Sequence, residues 1–204
     1  MKSKVSLSKP AMKERINATV LRSSNPALTW EAWTEEDKGS PVYWQIKDTA
    51  VGEALIGATG KGVCFLGFTN ADPAFALSDL QRRFPASTLH EEDTEHLDAA
   101  FGHLNHPEGN LPVHLHLKGT DFQLGVWKKL LQIPFGGVAT YKELGYGSPY
   151  ARATGAAVGA NPVSYLVPCH RAVRSDGSFD RYYWGTEMKI RLLTYESAAT
   201  AKEE

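Results

Sequence analysis

Residues 166–173 read Leu-Val-Pro-Cys-His-Arg-Ala-Val, and the rest of the chain is organised around them. Cys169 stands directly against His170, between Pro168 and Arg171, with apolar residues on both sides. The apolar run Tyr165, Leu166, Val167 reads as a short buried strand. Pro168 cannot extend a sheet ladder, so that strand should stop there and leave Cys169 at its end, facing a cleft. A thiol becomes a thiolate near neutral pH when an imidazole or basic side chains stand beside it. The plainer reading, a buried cysteine acting as a small core residue, stays open on these eight residues alone.

Upstream, residues 119–144 open with Gly-Thr-Asp-Phe-Gln, a capping box from Thr120 to Gln123 that starts a helix. Phe122, Val126, Trp127, Leu130 and Leu131 supply its apolar face, and Pro134-Phe135-Gly136-Gly137 breaks it. A second capping box, Thr140 to Glu143, opens a short helix. Gly145, Gly147 and Ser148 make a turn, and Pro149 starts another helix that runs to about Ala160. Two short helices around a glycine-containing turn read as a helix-turn-helix. The second helix is built almost wholly of Ala and Gly, with Arg152 as its one long cation. Such a smooth helix suits either a DNA groove or a tight internal contact. Downstream, Ser175-Asp176-Gly177 is a turn and Tyr182-Tyr183-Trp184-Gly185 an aromatic loop able to wall a pocket. Thr186 should cap a last helix with Met188, Ile190, Leu192 and Leu193 as its apolar residues.

The first half has a different character. Val42 to Ile46, Ala54 to Ile56 and Val63 to Leu66 read as strands, the last two flanking a turn at Thr59-Gly60. Cys64 falls inside a strand, as a core residue. Asp72-Pro73 starts a helix whose stripe is Phe75, Leu80 and Phe84, and a further helix spans about Asp93 to Leu104. Val113 to Leu117 alternates as a strand and puts His114 and His116 on one face. A metal reading of that pair lacks a third ligand, so none is expected. Residues 1–40 show no clear periodicity and read as an extension anchored by Trp30 and Trp33.

The chain has 204 residues, 42% hydrophobic and 22% charged, as in an ordinary globular protein of one or two domains. Two distant cysteines, Cys64 and Cys169, form neither a disulfide framework nor a thiolate zinc site. A working thiol suits a reducing compartment. The basic N-terminus has no apolar run behind it, and no stretch approaches the roughly 18 apolar residues of a membrane span. The net charge of −1 hides an imbalance: from Lys118 to Tyr195, ten Lys or Arg face five Asp or Glu. A basic half is a modest footprint for nucleic acid.

Four blocks in order, residues 119–144, 152–163, 167–173 and 182–196, resemble the O6-alkylguanine-DNA alkyltransferases, most of all the C-terminal repair domain of the bacterial Ada type. The likeness is close over 119–196 and looser over about 41–117. It implies an α/β domain at 41–117, ribonuclease-H-like in the family, after the extension at 1–40. A mostly helical domain at 118–204 then carries the helix-turn-helix and a buried cysteine. The implied activity is suicide repair of DNA: the alkyl group, mainly methyl, moves irreversibly from guanine O6 to Cys169, without a cofactor or metal. His170 is the implied base, oriented by Glu196; Asn161 braces the turn before the active-site strand; Tyr141 protonates the leaving guanine. Arg152 is implied to fill the gap left by a flipped base in the minor groove, with Thr140, Lys142, Ser148 and Ser175 on the DNA backbone beside Tyr141. Trp184, Tyr182, Tyr183 and Ala172 would line a pocket tight enough to favour methyl. The implied partner is duplex DNA bound by a monomer, in the cytoplasm of a bacterium or the nucleus of a eukaryote. The sensor-regulator role of full-length Ada is not expected, since its cysteine-rich zinc domain has no counterpart here.

This sequence departs from the family in four places, one of them Ser164, which replaces a Pro found in some relatives. The span from Tyr141 to Arg152 is a few residues shorter than usual, so the helix-turn-helix is trimmed. Thr154 stands where Val is common, and Asp180-Arg181 where small residues precede the tyrosine. Asp180 could crowd the pocket or repel DNA, with Arg181 to offset it. Two other functions remain in view: an alkyl-damage recognition protein without transfer activity, whose relatives lack the cysteine, and a thiol hydrolase. Adjacent strand residues point to opposite faces, so direct Cys169–His170 pairing needs the chain to bend after Pro168.

Overall fold

Strands form where apolar side chains are dense, and the first half of the chain is rich in such runs. The computed structural model describes residues 6–22, 25–70, 72–106, 111–145 and 147–200. In chain order the elements are α1 (Lys9–Ala18), β1 (Leu28–Ala32), β2 (Val42–Lys47), β3 (Ala54–Thr59), β4 (Gly62–Phe68), α2 (Pro73–Arg83), β5 (Leu89–Glu91) and α3 (Glu95–Asn105). There follow β6 (Val113–Leu117), α4 (Asp121–Leu130), β7 (Ala139–Thr140), α5 (Tyr141–Leu144), α6 (Ala151–Gly159), β8 (Ala172–Val173) and α7 (Thr186–Thr200). They divide into two units. One holds Pro26–Leu124 and Pro162–Leu166; the other holds the described residues before Pro26, Gly125–Asn161 and those from Val167 onward.

The first unit is a six-stranded mixed sheet in the order β1-β6-β4-β3-β2-β5. β2, β3 and β4 form an antiparallel meander, while β1, β6 and β5 pair in parallel with their neighbours. β3 and β4 are buried along their whole length, which is why they read as continuous apolar runs and not as alternation. Gly62 is needed where β4 meets β6: a Cβ there would lie 2.6 Å from the His114 carbonyl oxygen. Cys64 is fully buried, and burial pushes its thiol well above the ordinary range.

Several expectations change. Residues 28–32 are not part of an extension; β1 pairs with β6 from Leu28 opposite Val113 to Ala32 opposite Leu117. In α2 the Asp72 carboxylate accepts from the Phe75 N–H, as the cap requires. Phe75 itself is exposed, and Ala76, Asp79 and Leu80 form the buried face. Phe75 and Leu80 are five apart and cannot share a face; Ala76 and Leu80, four apart, can. Residues 165–167 are not a strand. Val163 makes a single bridge to Leu66, and Tyr165 turns the chain with φ 68°.

The second unit is built on short helices. Its capping box forms, with the Thr140 N–H donating to Glu143 at 2.7 Å; the other box, in the sheet unit, forms too, with the Thr120 N–H donating to Gln123 at 2.9 Å. α5 is a single turn, linked by a 3-10 turn at Ser148–Tyr150 to α6. The ladder β7–β8 pairs Ala139 with Ala172 and Thr140 with Val173. It lays the start of α5 beside the segment that follows Cys169. Thr186 is the first residue of α7, not its cap, and its hydroxyl donates to the Asp180 carbonyl at 2.7 Å. Ile190 faces outward; the buried side of α7 is Met188, Lys189, Leu192, Leu193 and Glu196. Among the described residues no helix is long and apolar enough to cross a membrane.

Candidate active site

The site begins at the end of α6. Asn161 is buried, and its Nδ2 donates to the Val167 carbonyl at 2.8 Å, pinning the approach to Cys169. Cys169 then opens a 3-10 turn, Cys169–Arg171, with its own N–H donating to Val167 at 2.7 Å. The expected strand end is thus a tight turn, which removes the opposite-face geometry that separates neighbouring side chains in a strand. Cys169 is almost wholly buried, and its Sγ lies 3.7 Å from Tyr182 Oη.

Behind the thiol stands a buried charge cluster. His170 Nε2 donates to Glu196 Oε1 at 2.7 Å, with both side chains fully buried. An ionised carboxylate only accepts, so Nε2 carries the proton and, in the neutral ring, Nδ1 is the acceptor. Arg171 grips the same carboxylate through Nε at 3.0 Å and Nη2 at 2.8 Å, and the Gly136 N–H donates to Oε2 at 3.2 Å. Burial alone would raise the Glu196 carboxyl; Arg171 and His170 outweigh it and hold it down at about 2. Burial pushes the imidazole below its ordinary value against the pull of Glu196, so His170 is neutral at neutral pH.

Two members of this cluster are not evident from sequence. Arg171 reads only as a basic neighbour of the thiol. Lys189 is not singled out in the sequence, yet it is fully buried and its Nζ donates to the Ala172 carbonyl at 2.6 Å. It also stands 5.8 Å from the Tyr182 ring centre. Burial lowers its ammonium to about 8, with Cys169 and Asp180 pulling the other way. The available signal is spacing: Lys189 lies two turns before Glu196 and so on the same face.

Tyr141 follows β7 and is partly buried; burial and the Cys169 charge raise its phenol, which therefore stays a donor. Tyr182 is half-buried and Trp184 buried, but Tyr183 turns outward and meets Trp184 edge to face at 5.0 Å. Ala172 is buried and supplies the carbonyl that Lys189 holds. Asp180 pairs with Arg174 at 3.1 Å, not with Arg181.

On α6, Thr154, Ala157 and Val158 are buried while Arg152, Ala153, Ala156 and Gly159 are exposed. Trp127 Nε1 donates to the Ala157 carbonyl at 2.8 Å and fixes the inner face. A Cβ added at Gly155 or Gly159 would meet nothing within 4 Å, so internal packing does not require either glycine. Lys142 and Ser175 are exposed. Thr140 does not join them: it is buried, and its hydroxyl is committed to the Glu143 cap. The Ser148 side chain lies outside the described residues. In the sheet unit, His114 Nδ1 bonds Thr29, while His116 bonds Thr59 and lies 3.3 Å from Asp37.

A buried thiol next to a carboxylate-bound imidazole, in one unit with a helix-turn-helix, defines a class: proteins that use a cysteine nucleophile and carry a DNA-binding type of motif. Comparison with known proteins narrows it. Residues 121–198 match the family model described as 6-O-methylguanine DNA methyltransferase, DNA binding domain. The inducible methylated-DNA–protein-cysteine methyltransferase of Bacillus subtilis is 36% identical over 167 residues, covering 79% of this chain and 93% of that protein. The bifunctional transcriptional activator/DNA repair enzyme Ada of Escherichia coli is 34% identical over 162 residues; the match covers 76% of this chain but 46% of Ada. The crystal structure of Mycobacterium tuberculosis OGT in complex with DNA superposes with a TM-score of 0.61 at 29% identity, covering 76% of this chain and 93% of that one. The chain belongs to the methylated-DNA–protein-cysteine methyltransferase family.

Proposed function

We propose that this protein repairs alkylated duplex DNA by moving the alkyl group, chiefly methyl, from guanine O6 to Cys169, once per molecule. The observation that carries this reading is the 2.7 Å bond to Glu196 from His170, the residue that follows the buried thiol. His170 Nδ1 takes the thiol proton, directly or through one water, and the resulting imidazolium is stabilised by Glu196. The sulfur attacks the alkyl carbon in line; an S–C bond forms as the C–O6 bond breaks. The electron pair leaves with the guanine, which Tyr141 protonates, and the proton that His170 took from the thiol then replaces the one Tyr141 gave up, directly or through water. Asn161 keeps the turn before Cys169 in register. Tyr182, Trp184 and Ala172 form the pocket walls.

The alkylated base must leave the stack to reach a buried thiol, and unstacking costs a few kcal/mol. Arg152, exposed at the start of α6, fills the gap with its planar guanidinium. The open space at Gly155 and Gly159 supports close approach of this helix to the minor groove. Lys142 and Ser175 contact phosphates, which suits repair at any sequence. We assign a monomer working in a reducing compartment, the cytoplasm or the nucleus.

The test is intact mass after mixing the protein with a duplex carrying O6-methylguanine, alongside Cys169→Ala. The wild type should gain one methyl in place of one proton, mapped to Cys169, and the variant none. Binding without mass gain would instead make it a damage-recognition protein. Release of more than one equivalent of product would make it a hydrolase.

The helix surface gives a separate expectation. Gly155→Ala should raise stability by about 0.5–1 kcal/mol, because a helical glycine is replaced and the new methyl meets open space. Ala156→Leu should leave the melting temperature unchanged and weaken duplex binding about tenfold, by ~1.4 kcal/mol. Thermal melts and fluorescence anisotropy with a labelled duplex check both.

A further inference from the structure

The N-terminal segment lies outside the matched family model, yet it reaches the charge cluster behind the thiol. α1 is capped by Ser8 and buries Met12 against Val138, Val173 and Leu193. From the same helix, Arg15 Nη2 donates to the Gly136 carbonyl at 2.7 Å. One residue supplies both ends of a relay, since the Gly136 N–H is a donor to Glu196 Oε2 at 3.2 Å. The loop around Gly136 is held at further points. Arg171 Nη1 donates to the Ile133 carbonyl at 2.7 Å, and the Val138 N–H donates to Thr19 Oγ1 at 3.0 Å. Thr19 in turn donates to the Arg15 carbonyl at 2.7 Å. Gly136 has φ 75°, a left-handed conformation that glycine adopts without the steric cost of a Cβ.

Docking a helix does not need an arginine. Met12, Ile16 and Leu7 already supply the apolar contact. Burying a guanidinium is costly, and it is worth most where it meets a carbonyl or a negative charge. Arg15 meets the carbonyl directly and stands near enough to Glu196 to feel its charge.

We propose that Arg15 is a positioning residue for alkyl transfer: by holding the Gly136 carbonyl it fixes the loop whose N–H completes the hydrogen bonding of Glu196, and so sets the orientation of His170 behind Cys169. This gives residues 9–18 a part in the chemistry, and it rests on the transfer reading above. Outer partners of this kind, which orient a working imidazole or carboxylate, contribute about ten- to a hundredfold in activity at metal sites, and the same logic applies here.

The experiment is single-turnover methyl transfer from an O6-methylguanine duplex to the full chain, with the wild type, Arg15→Ala, Arg15→Met and Arg15→Lys. The duplex concentration is varied and folding is checked by circular dichroism at the assay temperature. The expected result is a rate constant at saturating duplex reduced about tenfold or more in the Ala and Met variants. The half-saturating duplex concentration should stay unchanged, and Lys should recover most of the rate. Met keeps the apolar stem and removes the donor, so a role in packing alone would leave its rate at the wild-type value and overturn the proposal. So would a loss confined to duplex affinity, or a failure of both the Ala and Met variants to fold, which would make Arg15 a folding residue. A wild type that transfers no methyl would overturn the transfer reading itself, independently of the variants.

Discussion

Arg171→Ala lowers the unfolding free energy by about 3–5 kcal/mol at pH 7, the loss expected when one partner of a buried ion pair is removed. The Glu196 carboxylate is fully buried, and Arg171 neutralises it through two nitrogens while Nη1 ties down the Ile133 carbonyl. Truncation leaves a charge in the interior that keeps hydrogen bonds from the His170 and Gly136 N–H groups and only the more distant charge of Arg15. The pH dependence separates this cause from simple loss of packing. In the wild type the folded carboxyl titrates near 2, below its ordinary value of 4.5. Its contribution is therefore fully present above about pH 4.5 and lost as pH falls towards 2. His170, held neutral by burial, adds stability that is present above its ordinary value of 6.5 and lost as pH falls below it. In the variant, burial without the guanidinium pushes Glu196 up, and protonation then relieves the trapped charge. The stability gap between the two proteins should narrow as pH falls from 7 towards 4. Denaturant titrations at several pH values measure it, and a gap that stays constant would place the loss in packing.

The legible parts of this molecule are those governed by local rules. The two capping boxes, the Asp72-Pro73 helix start and the β3–β4 hairpin need only neighbouring residues, and each forms. The order of blocks around Cys169 carries the family. Less legible are elements whose burial is set by distant chain. α1 has one fully buried residue, Met12, in an otherwise polar helix, so no periodic stripe marks it. β1 is an edge strand with a half-exposed pattern and looks like loop until β6 pairs with it. Tyr165 to Val167 has strand composition, but a left-handed Tyr165 turns the chain instead. Lys189 is a cation of the last helix; its buried position is set by the Ala172 carbonyl, seventeen positions away, and by the Tyr182 ring. At the site, the nucleophile is evident from its neighbours, whereas Glu196 becomes evident only through the resemblance. Arg171 and Arg15, which complete its surroundings, are brought there by tertiary contacts that leave no local pattern.

Glu196→Gln should slow methyl transfer by about 10⁴ while leaving duplex binding unchanged, the size of loss seen when an amide replaces the orienting carboxylate of a catalytic triad. The carboxylate can only accept, and it holds the proton on Nε2 of His170 at 2.7 Å. A glutamine amide can instead donate to Nε2. The proton then moves to Nδ1, and the nitrogen needed to take the thiol proton becomes a donor. Arg171 also satisfies itself on any remaining oxygen and gives no correction to the ring. Glu196→Asp keeps the charge but shortens the reach, so its rate should fall between the two. The decisive observation is the alkaline limb of the rate profile. With the base disabled, thiolate forms only by direct ionisation, so the variant's rate should climb with pH where the wild type's is already level. A variant rate that is low but flat across that range would mean that Glu196 serves the fold of the site and not the proton transfer. A variant as fast as wild type would remove His170 from the mechanism altogether and leave thiol ionisation to its remaining charged neighbour, the buried ammonium of Lys189.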